Sequence, residues 1–234
     1  MGAKSGVSTM NQLLEGVRRF RHEVYPRQRA VYQEAARTPQ HPHTLFITCA
    51  DSRIDPELIT QSGPGEIFVT RNVGNLIPAY GEMLGGVSAV IEYAVAALGV
   101  RQVVICGHTD CGAMKALLHP QQVEQLPTVK AWLQNAEAAR SVVDACGHAA
   151  DQGDVLNALI EENVRLQLMH LCAHPYVAGR LAKGSLTVQG WVYDIGNGDV
   201  RIHDVGSDRF VPVDDFEIAS PQQEVWQVRV RRGR

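Results

Sequence analysis

The chain has 234 residues, 45 % of them hydrophobic, enough for one sizeable α/β core or two small ones. A net charge of −3 provides no basic face for nucleic acid, and no apolar run is long enough to span a membrane. Five cysteines, odd in number and irregular in spacing, argue against a disulfide framework and for a reducing compartment. Met1 to Gly6 lacks the apolar core of a secretory signal, and Gly6 stands where a myristoylation motif needs Ser or Thr. The expected location is therefore cytoplasmic.

Met10, Leu13, Leu14 and Val17 make one helical stripe, and the pattern resumes from Val31 to Ala36 after Pro26, which predicts a helical arm over about 8–37. Three short apolar runs follow, Leu45 to Ile47, Ile67 to Val69 and Val103 to Ile105. Bounded by turn residues and rich in branched side chains, they read as strands buried on both faces. Val87, Val90, Ile91, Ala94, Val95 and Leu98 predict a crossover helix closed by Gly99. Helical character continues at Ala113 to Leu118, around Val129 to Val143, and at Leu156 to Leu171, stopping before Pro175. His170 and His174, four apart, read as cationic residues at that helix end rather than as metal ligands. Strand patterns return at Leu186 to Ile195 and Val200 to Val205 around an Asn197-Gly198 turn. The basic end, about 226–234, reads as a solvated tail. One α/β domain, with a mostly parallel central sheet and flanking helices, accounts for the whole pattern.

Cys49 follows the first apolar run in Cys49-Ala50-Asp51-Ser52-Arg53, and His108-Thr109-Asp110-Cys111 follows the third. In an open parallel sheet, functional groups gather beyond the carboxyl ends of strands, so these segments can meet. Two sulfurs and one imidazole leave a tetrahedral Zn²⁺ one ligand short, the arrangement of a catalytic rather than a structural zinc. A structural zinc would recruit a fourth Cys or His nearby, and the sequence offers none.

These two motifs, with Pro64-Gly65-Glu66-Ile67-Phe68-Val69-Thr70-Arg71-Asn72-Val73-Gly74-Asn75 between them and Gly190-Trp191-Val192-Tyr193-Asp194 later, resemble the β-class carbonic anhydrases from about Asn11 to Val213. The resemblance implies one Zn²⁺ per subunit on Cys49, His108 and Cys111, with Asp51 paired to Arg53 beside it. It implies reversible hydration of carbon dioxide to bicarbonate and a proton by hydroxide on the zinc, and a homodimer or higher even oligomer. One subset of the family, marked by a tryptophan upstream of the first cysteine, lets the aspartate shut the site. Gln40 stands at the matching position, as in the plant-like, open subset. Gln40, Phe68, Val73, Tyr93 and Gly112 match pocket positions, some of them supplied by a partner subunit. Ala50 departs from the usual serine at a position that is not a ligand.

Two thiolates and a neutral imidazole cancel the formal charge of the ion, so the metal is a weaker Lewis acid than an all-imidazole zinc. The expected pKa governing activity lies on the alkaline side of roughly 7. Hydrolysis of a related linear molecule such as carbon disulfide, and a non-catalytic zinc module, remain the alternatives at this stage.

Overall fold

The computed structural model describes residues 9–81, 85–147 and 152–217. The termini, including the basic run Arg229 to Arg234, lie outside the described residues. The chain separates into two units, 1–40 and 41–234.

In the first unit, α1 (Thr9–Arg19) runs into α2 (Tyr25–Arg37) through five residues of wider, π-type helix, Phe20–Val24. The widening has a local cause: Pro26 donates no hydrogen bond, and its ring would press on the carbonyl four residues earlier in a regular helix. Phe20, Tyr25 and Tyr32 cluster with ring centroids 5.5–6.2 Å apart. Met10, Leu13, Leu14 and Val17 are exposed, and no residue of either helix is buried.

The second unit is built on β1 (Thr44–Cys49), α3 (Pro56–Thr60), β2 (Ile67–Asn72), α4 (Gly86–Glu92), β3 (Gln102–His108), α5 (Gly112–Leu118), α6 (Pro127–Leu133), α7 (Glu137–Cys146), α8 (Gln152–Cys172), α9 (Pro175–Ala182), β4 (Thr187–Tyr193), β5 (Val200–Asp204) and β6 (Arg209–Pro212). The strands form one sheet in the order β2-β1-β3-β4-β5-β6. The first four are parallel, and β5 and β6 add antiparallel to one edge. The α/β class and mostly parallel sheet expected from the apolar runs are thus present.

Several local expectations need correction. β1 is buried along its whole length, but β2 is only half-buried, because it is the sheet's outer strand and has one neighbour instead of two. Pro175 opens α9 as well as following α8; proline suits a first helical turn, where its missing N–H has no partner to lose. The short elements α3 and β6 have too few residues to display a period. His170 does lie in the last turn of α8, but its Nδ1 is 2.7 Å from the Ile77 carbonyl oxygen, and His174 lies beyond that helix, immediately before α9.

One sheet face carries the main core, in which Leu45, Ile47, Val103 and Ile105 meet Ile160, Val164 and Leu168 of α8. Complete burial of such a side chain contributes roughly 1.5–3 kcal/mol. The close approach of α8 depends on two glycines in the strands beneath it. A Cβ at Gly107 would lie 2.8 Å, and at Gly190 2.7 Å, from Val164 methyl groups. The opposite face holds a smaller cluster of Phe46, Val104 and Cys106, with Trp191 edge-on to Phe46 at 5.8 Å.

Candidate metal centre

β1 and β3 are parallel neighbours in register, Thr48 beside Cys106, so both strands finish at the same end of the sheet. Cys49 is the last residue of β1 and His108 the last of β3. Asp110 then adopts a left-handed backbone (φ 61°), and the turn delivers Cys111 to the start of α5. The side chains of Cys49, His108 and Cys111 are buried, and their ligating atoms all lie within 4.8 Å of one another.

Each donor is prepared by its surroundings. His108 Nδ1 lies 2.8 Å from the Thr109 carbonyl oxygen, so it carries the proton and leaves the Nε2 lone pair free. That Nε2 is buried without a hydrogen-bond partner, which in a folded interior calls for an explanation. The Gly74 amide donates to Cys49 Sγ at 3.4 Å, and the amides of Met114 and Ala113, at the start of α5, favour a thiolate at Cys111. Between the two thiols, the hydrogen bond from Cys111 holds Cys49 well below the ordinary thiol range, while the same contact, with burial, pushes Cys111 up. The first proton therefore leaves readily, and the second is held because its loss would put two thiolates side by side. A divalent cation between them removes that cost, so cation binding and release of both protons are linked. Two sulfurs and a neutral imidazole nitrogen are a donor set suited to zinc.

Asp51 and Arg53 lie just past β1. Arg53 Nε donates to Asp51 Oδ1 at 2.9 Å and Nη2 to Oδ2 at 2.8 Å, a two-point fork, and the Arg53 amide adds a bond to Oδ1 at 3.0 Å. These bonds hold the Asp51 carboxyl well below the usual carboxylate range and raise the guanidinium in turn. Asp51 Oδ2 is 3.9 Å from His108 Nε2, at the edge of the donor cluster.

The 72–77 segment closes the site from the side. Asn72 bonds reciprocally with Leu76, through its amide nitrogen to the Leu76 carbonyl (3.0 Å) and its amide oxygen from the Leu76 N–H (2.7 Å). α8 supports this turn with a buried polar chain: Asn163 donates to the Gly74 carbonyl at 3.1 Å, and Gln167 donates to Asn163 and accepts from the Ile77 amide. Gly74 has φ 81°, and a Cβ there would sit 3.0 Å from the Cβ of Ala113, so backbone angle and space both require glycine. Val73 is held through its carbonyl, which accepts from Trp132 Nε1 at 2.8 Å.

The expected site residues therefore fall into groups. Cys49, Asp51, Arg53, His108 and Cys111 converge; Gly112 follows Cys111 in the chain, and Val73 precedes Gly74, whose amide donates to Cys49 Sγ. Phe68 and Tyr93 pair with each other, ring centroids 6.0 Å apart, but away from this centre. Phe68 stands opposite Leu45, four residues before Cys49, which is about 13 Å along the strand. Gln40 is exposed and ends the first unit.

A family model described as carbonic anhydrase matches residues 44–200, which include every residue of the converging group. The chain belongs to the β-class carbonic anhydrase family. It is 48 % identical to a carbonic anhydrase of Pseudomonas aeruginosa over 86 % of this chain and 91 % of the relative. It is 50 % identical to one of Synechococcus elongatus over 82 % and 70 %. Among solved structures, the β-carbonic anhydrase CcaA matches with a TM-score of 0.84 at 42 % identity, over 88 % of this chain and 100 % of that one. The buried Cys49-His108-Cys111 set is the zinc site typical of β-carbonic anhydrases.

Four supporting residues escaped the sequence reading. Arg71 binds the carbonyl oxygens of Cys49 and Asp51 and so fixes the backbone on which both sit. Asn163 and Gln167 were visible as a polar i, i+4 pair on an apolar helix. Asp110 lay inside the quoted motif as a residue with no assigned role.

Proposed function

We propose that this chain hydrates carbon dioxide reversibly to bicarbonate and a proton, with Cys49, His108 and Cys111 holding one zinc ion per subunit and Asp51 and Arg53 beside it. The observation that carries the reading is the three-donor, buried cluster whose uncommitted side faces a carboxylate already held by a guanidinium. Zinc supplies the Lewis acid that brings the pKa of water toward neutrality. The protein's own residues do the rest. Asp51, kept ionised by Arg53, accepts a hydrogen bond from the attacking oxygen and directs its lone pair at the substrate carbon. Val73 and Gly112 border the space in which carbon dioxide lies.

We assign the site to the plant-like, open subset, with Gln40 as a pocket residue. The two-point fork supports this, since a carboxylate with both oxygens on Arg53 is held off the fourth metal position. The pocket is completed by Phe68 and Tyr93 of the partner subunit in a homodimer or higher even oligomer. Their distance from their own chain's metal ligands supports this, as does the exposed stripe of α1. The two units act as one carbonic anhydrase-type domain with its helical arm over about 8–37. No disulfide joins any of the five cysteines, which supports a cytoplasmic, reducing location, and no helix among the described residues is long and apolar enough to cross a membrane.

Stopped-flow carbon dioxide hydration on protein of measured zinc content tests this function. One zinc per subunit is expected, with kcat/KM rising through neutral pH to a plateau on the alkaline side. Asp51 is ionised throughout that range, so the rise is not the titration of that carboxylate. Fully zinc-loaded protein inactive on carbon dioxide at every pH overturns the function, and a plateau already reached well below pH 7 overturns the argument from charge cancellation.

A further inference from the structure

The Arg53 guanidinium has a second edge in use. Its Nη1 donates to Asp110 Oδ2 at 2.9 Å and its Nη2 reaches the Asp110 carbonyl oxygen at 3.4 Å, while the other Asp110 carboxylate oxygen is bound by Lys115 Nζ. The side chains thus form one alternating series, Lys115, Asp110, Arg53, Asp51, that ends at the metal cluster. Asp110 is also one of four non-glycine residues with positive φ among the described residues, at 61°. An aspartate tolerates that region better than most side chains, yet the conformation still costs something unless local contacts repay it. The Asp110 turn lies between two metal ligands, His108 and Cys111, and its carboxylate bonds to the residue that restrains Asp51.

We propose that Asp110, supported by Lys115, is a positioning residue for carbon dioxide hydration: it fixes the outer edge of the Arg53 guanidinium so that the inner edge stays on Asp51 and Asp51 stays off the zinc. The geometry requires such a support. Arg53 is 44 % exposed along its side chain, so little packing restrains it, and a fork held only by Asp51 would let the two side chains move as a pair. Anchoring Nη1 on a second carboxylate removes that freedom. The pairs of Asp110 are themselves exposed, so their contribution to folding stability is small and the role is one of orientation. This inference rests on the carbonic anhydrase reading of the site.

The test compares wild type with Asp110→Ala, Asp110→Asn and Lys115→Ala, with two readouts. The first is kcat/KM for carbon dioxide hydration per bound metal. Asp110→Ala is expected to lose about tenfold or more, on the scale by which small misplacements of a catalytic group act. Asp110→Asn, which still offers an oxygen to Nη1, should recover part of that loss, and Lys115→Ala should show the smallest loss. The second is the visible spectrum of the Co²⁺-substituted proteins titrated with azide, which reports whether the fourth position exchanges. Wild type should respond to azide, and Asp110→Ala should respond weakly, because Asp51 occupies the position. Wild-type kcat/KM together with a wild-type azide response in Asp110→Ala overturns the proposal. So does an activity loss fully accounted for by lost metal or a lowered unfolding temperature. Inactivity of the metal-loaded wild type overturns the underlying function instead, so the two failures are distinguishable.

Discussion

The site divides into a dry half and a wet half. Cys49, His108 and Cys111 are between 0 and 5 % exposed and are held by strand ends, a helix start and close packing beneath α8. Asp51, Arg53, Asp110 and Lys115 stand at the rim, with Arg53, Asp110 and Lys115 each 43–52 % exposed along their side chains. Packing therefore sets the positions of the metal donors, whereas only hydrogen bonds set the direction of the carboxylate above them. Disturbing the first half should remove the metal. Disturbing the second should leave the metal bound and misdirect the chemistry.

The largest effect expected is from the dry half. His108→Ala removes one of three protein ligands, and zinc content and carbon dioxide hydration should fall together, by about a hundredfold or more, since even residues that only support ligands cost about 10- to 100-fold. A variant that keeps stoichiometric zinc and near-wild-type turnover would break the division. At the rim, Arg53→Lys conserves charge but loses the planar fork. It should retain zinc while kcat/KM drops by up to about a hundredfold. Equal activity in the two proteins would show that charge alone, without the fork, orients Asp51.

The smallest effect concerns acid stability. Asp51 is held below its ordinary range by Arg53, and Asp110 by Lys115 first and Arg53 second. A carboxylate whose folded-state pKa lies below its unfolded value of ~3.9 contributes fully above that pH, and its contribution is lost as the pH falls through the folded value. Thermal unfolding of the metal-free protein between pH 7 and 3 should therefore show a decline beginning near pH 4, shallower in Asp51→Asn. The two partners are largely solvated, so the difference should be modest. Identical slopes would mean that the rim contacts do not survive in solution.

Much of this organisation was legible along the chain. The branched runs at Leu45, Ile67 and Val103, the helical turns that α4 begins at Gly86 and a wider, π-type stretch, Tyr93–Leu98, carries to a left-handed Gly99, and the paired motifs around Cys49 and His108 marked out the sheet and the donor set. What escaped notice has particular reasons. β2 carries the same kind of apolar run as β1, and only strand order made it an edge. Pro175 looked like a stop, because a proline that ends one helix is indistinguishable in sequence from one that begins the next. Phe68 and Tyr93 matched pocket positions, and their separation from Cys49 emerged only from strand register, for Phe68, and from the pairing of the two rings, for Tyr93.

The sequence by itself determined the chemistry available: a nitrogen and two sulfurs for a soft divalent cation, and a carboxylate two residues from a guanidinium. Those are properties of residue types and short spacings, which one strand end or one turn can enforce. The tertiary structure decided that Arg71 would clamp the backbone of Cys49 and Asp51, that Asn163 and Gln167 would reach from α8 to the 74–77 turn, and that Asp110 would close on Arg53. Each of these joins residues 20 to 90 positions apart, or turns on a backbone angle, and no local pattern encodes a partner that folding alone brings near.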